Sequence, residues 1–153
     1  MALPALIPIM RVEDYHTAHV GIAQDGKQFM AFSTCVYSTP YATLTPSQKA
    51  DWRSYRREYV VLHLFDSQGN YILTNSWFAG TSAVYDSAQV ESKLLDMITT
   101  LGEVEYQGIK VKPFQTQIDG FVFGLLPDET AATLTLEPNG LLFTEPWDGE
   151  YYT

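Results

Sequence analysis

Cysteine is almost absent from this chain: Cys35 is the one such residue in 153. A single thiol excludes an intrachain disulfide and every metal site that needs two or more cysteine ligands, and it suits a reducing, cytoplasmic setting. Long apolar runs are missing too, since no stretch approaches the roughly eighteen apolar residues of a membrane-spanning helix. The opening MALPALIPIM is apolar but has no initial positive charge, is broken by Pro4 and Pro8, and runs straight into Arg11-Val12-Glu13-Asp14, so it does not read as a secretory signal. Short catalytic and phosphate-binding patterns are lacking: there is no GxGxxG, GxxxxGKS or GxxxxGKT, HExxH, CxxC or GxSxG. Many enzymes carry no short motif, so the absence makes an enzyme the less expected reading without excluding one, and no cofactor or metal is expected.

Basic residues are scarce and unevenly placed. The formal net charge is −9, which opposes attraction to phosphate backbones and anionic lipid. All nine Lys and Arg lie in residues 1–112, against eleven acids, whereas 113–153 holds seven acids and no base. Four of the nine, Lys49, Arg53, Arg56 and Arg57, form one local basic strip. With 46% hydrophobic and 14% aromatic residues the chain can build a substantial core, and with no repeat or linker to divide it, residues 1–153 read as one globular domain.

Alternating, β-rich runs predict strands near 17–24, 28–37, 59–65 and 71–79. Asp25-Gly26 joins the first two, and Asp66-Ser67-Gln68-Gly69-Asn70 joins the last two as a hairpin with a left-handed glycine. After residue 103 come short strands in IKVKPFQTQI, GFVFGLL, TLTLE and GLLFTE, separated by turn residues, with Pro113 marking an edge or a bulge. Thr45-Pro46-Ser47-Gln48 carries a capping box and predicts a helix running to about Glu58. A second helix opens at Asp86, carries Val90, Leu94, Leu95, Ile98 and Leu101 on one face, and stops at Gly102. The pattern is α+β: a mainly antiparallel sheet with two helices packed on one face.

Each candidate for chemistry has a plainer structural reading. His16 and His19 have helical ligand spacing, but they lead into a strand and lack a third ligand. His63, within Val60-Val61-Leu62-His63-Leu64-Phe65, reads as a hydrogen-bonded structural residue of an apolar strand, and Cys35 as a small core residue. On the first predicted helix Trp52, Tyr55 and Tyr59 form a stripe edged by Lys49, Arg53, Arg56 and Arg57. Such a surface could dock an acidic partner or stack on nucleic acid, the latter disfavoured by the net charge. The C-terminal segment from Phe143 is dense in aromatics and acids, and Trp147, Asp148 and Tyr151 are its candidate partner contacts, unless it packs on its own sheet.

Trp77-Phe78-Ala79-Gly80-Thr81, the Tyr59 to Asp66 strand, Pro113-Phe114, Asp119-Gly120-Phe121-Val122-Phe123-Gly124 and the Glu145-Pro146-Trp147-Asp148-Gly149 ending resemble a family of small actinobacterial and cyanobacterial proteins often labelled formate hydrogenlyase regulatory protein. Members commonly finish Tyr-Asp-Thr, where this chain finishes Tyr151-Tyr152-Thr153. The resemblance implies a regulatory role and structural tryptophans at 77 and 147, and it carries over no catalytic residue. Three functions follow, in order. The first is a non-enzymatic interaction or regulatory protein acting through protein contacts, with a homodimer through an exposed sheet edge open. The second is a ligand binder or enzyme with a site assembled from dispersed residues such as His63, Asp66, Asn75 and Asp119. The third is a nucleic-acid binder using the 49–57 helix.

Overall fold

A computed structural model of the chain describes residues 3–14 and 16–153. Met1 and Ala2 of the apolar opening, and Tyr15 within the His16/His19 segment, lie outside the described residues. The strands are β1 (Ile7–Ile9), β2 (His19–Ala23), β3 (Gln28–Tyr37), β4 (Arg56–Phe65), β5 (Tyr71–Thr81), β6 (Val104–Tyr106), β7 (Ile109–Val111), β8 (Phe114–Ile118), β9 (Phe121–Asp128), β10 (Thr133–Glu137) and β11 (Leu141–Phe143). The helices are α1 (Pro46–Ala50) and α2 (Ser87–Thr99). The strands pair antiparallel throughout, in a five-stranded sheet ordered β5-β4-β3-β2-β6, a four-stranded sheet ordered β11-β10-β9-β8, and the pair β1-β7. The fold is α+β, as the sequence pattern predicts.

Two-residue alternation sorts the five-stranded sheet into two cores. Phe29 and Ala31 of β3 and Val60, Leu62 and Leu64 of β4 pack against Leu94, Met97 and Ile98 of α2. Met30, Phe32, Tyr59, Val61 and Phe65 face the other way and share a larger core with the second sheet, through Phe114, Phe123, Leu125, Leu134, Leu136 and Phe143. Each such Leu or Phe, fully buried, contributes about 1.5–3 kcal/mol. The 66–70 hairpin forms as expected, with Gly69 at φ 87°. Pro113 sits just before β8, which is an edge strand.

The first helix is far shorter than predicted. Its capping box forms, with the Gln48 amide donating to Thr45 Oγ1 and the Thr45 amide to Gln48 Oε1, yet the helix ends at Ala50. Asp51 leaves helical geometry, a 3-10 turn spans Trp52–Tyr55, and from Arg56 onward the chain is strand. Tertiary pairing overrides local propensity here: Arg56 and Arg57 are recruited by Tyr37 and Val36 at the far end of β3. No residue of α1 is buried, so α2 alone covers the sheet face. On α2 the Asp86 carboxylate caps the amides of Ala88 and Gln89. Leu95 is 45% exposed instead of facing the sheet, because it lies a further 100° round from Leu94 and the buried stripe runs through Met97.

The C-terminal segment packs on its own domain. Phe143 is buried, Trp147 and Tyr151 lie against the larger core, and Tyr152 pairs with Leu142 through two backbone hydrogen bonds. The Tyr151 hydroxyl donates to Asp14 Oδ2, and the Met10 amide donates to Gly149 O at 3.0 Å.

Candidate functional site

The predicted aromatic and basic stripe is dismantled by the strand that replaces the helix. Tyr59 turns into the core, and Arg56 and Arg57, as successive strand residues, point to opposite faces. Arg56 donates to the buried Ser82 hydroxyl at 2.8 Å and to Glu58 at 3.0 Å. Arg57 donates to Tyr59 Oη at 2.7 Å and to Asp119 at 3.2 Å, and its guanidinium lies 3.9 Å from the Phe78 ring centroid. Trp52 is flanked by the Arg53 and Arg56 guanidiniums at 4.8 and 4.5 Å, and Lys49 lies over Tyr41. Among the described residues no ion pair joins this strip to the acidic C-terminal segment. Asp148 remains exposed, beside β1 and β7, while Trp147 and Tyr151 are half-buried.

His63 is sealed in the larger core. Its Nδ1 lies 2.7 Å from Thr74 Oγ1, which lies 2.7 Å from the Tyr71 hydroxyl. Nε2 is the one buried side-chain polar atom without a partner among the described residues. The Phe114 and Phe32 rings stand 4.8 and 5.6 Å away. A neutral ring with its proton on Nε2 accepts at Nδ1 from the Thr74 hydroxyl, which in turn accepts from the Tyr71 hydroxyl. Burial pushes the pKa down to about 3, so the ring is neutral at pH 7. Asp66, Asn75 and Asp119, the other members of the dispersed site, lie in a hairpin turn, on β5 and in the β8–β9 turn; they do not converge on His63.

A different set of polar residues does converge. β2 pairs with β3 only as far as His19↔Ala31, so Phe32 to Tyr37 have β4 on one side and no backbone partner on the other among the described residues. α2 flanks the start of this half-strand with Ser87, Val90, Glu91 and Leu94. The resulting groove holds two adjoining cavities of about 440 and 360 Å³ that share Ser33 and Tyr85. The first is lined by Asp14, His19, Ser87 and Glu91 over an apolar floor of Val90 and Leu94. The second is lined by His16, Thr34, Cys35, Arg56, Glu58, Pro138 and Asn139. The sequence reading missed Ser33, Tyr85, Glu91 and Asn139 as site residues, and it placed Cys35 in the core, where the structure leaves it half-exposed in this groove. The one available signal was that the run 28–37 is longer than the run it pairs with.

The electrostatics of the two cavities differ. Asp14 Oδ1 accepts from the amides of His16 and Thr17, both at 2.9 Å, which fixes its carboxylate at the rim. Desolvation lowers the pKa of His19, with Glu91 opposing, so the first cavity carries two carboxylates and a neutral imidazole at pH 7. In the second, Arg56 and Glu58 neutralise one another, and Thr34 donates to Asn139 Oδ1 at 3.2 Å. Burial raises the Cys35 thiol above its ordinary value, Arg56 only partly offsetting it, so the thiol is protonated and a poor nucleophile. Among the described residues no group of three or more His, Cys, Asp or Glu is placed to hold a metal ion, and no helix is long and apolar enough to cross a membrane. Neither a protein-family model, nor a curated protein, nor a solved structure matches this chain.

Proposed function

We propose that this chain is a non-enzymatic interaction protein that captures an extended, basic segment of another protein along the open half of β3. The observation that carries the reading is the unpaired edge from Phe32 to Tyr37 lying beside two side-chain-sized cavities. An added strand gains affinity from main-chain hydrogen bonds, and pockets for its side chains give specificity. The first cavity suits a lysine or arginine: its alkyl stem would lie on Val90 and Leu94, with the cationic head between Asp14 and Glu91. The chain's charge of −9 draws such a segment in and works against an anionic one. Covalent catalysis is disfavoured by the protonated Cys35, and phosphate-backbone binding by the engagement of Arg56 and Arg57 with Glu58 and Asp119. A regulatory role of the kind the family resemblance implies would run through this contact. The half-exposed free thiol fits a reducing, cytoplasmic setting.

A labelled, end-blocked Thr-Val-Thr-Lys-Thr-Val-Thr peptide tests the reading by fluorescence polarisation and amide chemical-shift mapping. Binding should shift the amides of residues 32–37, weaken as salt rises, and fall at least about tenfold when the peptide's lysine is replaced by glutamate or the protein carries Glu91→Lys. Shifts that avoid β3, or equal affinity for the lysine and glutamate peptides, would refute it.

A further inference from the structure

The five-stranded sheet has a second open edge, and it differs in kind from the half-strand of β3. β5 ends the strand order, and its eleven residues include no charged residue and no proline. Among the described residues its outer side makes no backbone hydrogen bond to another element. Sheet edges are ordinarily blunted by lysine, proline, shortness or bulges. Ile72 and Ala79 do bulge, but between them Leu73 to Phe78 run in unbroken register along Tyr59 to Leu64. Three apolar side chains stand out from this edge: Ile72 and Leu73, each 41% exposed, and Phe78, 40% exposed.

We propose that β5 pairs antiparallel with β5 of a second copy, joining the two five-stranded sheets into one continuous sheet across a two-fold axis. The composition of the strand fits that occupant. Across a two-fold axis a strand residue near the centre meets itself or a close neighbour, so any charge there would face its own sign; β5 carries none. Joining the sheets without flipping them keeps each face aligned, so paired residues must have numbers of the same parity. A register centred on Asn75 meets that condition. It sets Leu73 opposite Trp77 of the second copy and Ile72 opposite Phe78, so that all three exposed apolar side chains gain apolar neighbours. The charges beyond the ends also match. Arg57 is neutralised by Asp119, but Arg53, whose backbone O accepts from the Ala83 amide just past Thr81, makes no ion pair among the described residues, and neither does Asp66 in the hairpin turn at the Tyr71 end. Antiparallel pairing lays each basic end beside the Asp66 turn of the other copy, twice over. An extended peptide would gain the backbone bonds but only one set of these matches.

Light scattering coupled to gel filtration of the full chain should give twice the 17.2 kDa of one copy. Asn75→Lys sets two ammonium groups against each other at the axis and should raise the dissociation constant at least about a hundredfold, with circular dichroism unchanged. Asn75→Cys in a Cys35→Ser background supplies a second readout that does not depend on the lysine variant folding. Residues facing each other across an antiparallel pair have Cα atoms about 4.5–5.5 Å apart, within disulfide reach, so air oxidation should yield a covalent dimer. A parent protein that stays monomeric at its highest soluble concentration, or a folded Asn75→Lys variant that stays dimeric, or a dimer that Asn75→Cys fails to cross-link, would overturn the proposal. The lysine peptide should bind Asn75→Lys as tightly as the parent, so this proposal and the β3 proposal fail separately.

Discussion

Acid should destabilise this protein chiefly through His63. His63 is neutral in the native state with a pKa of about 3, enclosed by Phe32 and Phe114, while the unfolded chain titrates it near 6.5. Its folded pKa is depressed, so the stability that depends on the neutral ring is fully present above 6.5 and is lost as pH falls from there toward 3. Between pH 7 and pH 5 the unfolded state takes up a proton that the native state refuses, at a cost of about 2 kcal/mol. With a urea dependence of about 2 kcal/mol per molar, the unfolding midpoint should drop by about 1 M. His63→Leu removes the titration yet leaves Thr74 bonded to Tyr71. His19 is also depressed and Glu137 raised, but both titrate in the variant as well, so the difference between the two proteins isolates His63. Urea melts at the two pH values suffice. If His63→Leu loses as much stability as its parent on going to pH 5, the buried neutral imidazole is not the cause and the assignment is wrong.

Three further outcomes follow from the packing. A chain ending at Leu142 loses the buried Phe143 together with Trp147 and Tyr151, and since deleting a core phenylalanine alone costs about 3–5 kcal/mol it should be largely unfolded by circular dichroism at 25 °C. Asp86→Ala removes the side-chain cap from two amides of α2 and should cost about 0.5–2 kcal/mol in a urea melt without altering the fold. Gly124→Ala should cost more, roughly 1–3 kcal/mol from backbone strain alone and further through steric overlap, because Gly124 has φ 151° and a methyl there would stand 2.2 Å from Phe114 O; a thermal shift no larger than that of Gly120→Ala, where the space is open, would contradict it.

What was legible in the sequence is what local chemistry decides. Alternation located β3, β4, β5 and the short C-terminal strands, and the caps at Thr45 and Asp86 marked both helix starts. The end of the first helix was not legible, because Arg56 and Arg57 suit a helix by themselves and become strand only when Val36 and Tyr37 offer them a partner. That one tertiary event reverses the expected partner chemistry. On a helix the four basic residues would have formed one cationic surface for an acidic partner. On a strand Arg56 goes to Glu58 on one face and Arg57 to Asp119 on the other, so the basic strip is split and largely neutralised. The carboxylates of the groove that make no ion pair among the described residues are then Asp14 and Glu91, far apart in sequence and brought to the lining of one cavity beside the open half of β3. A partner chosen by charge would therefore bring the cation itself, which is why the proposed partner is a basic segment where the sequence pattern alone pointed to an acidic one.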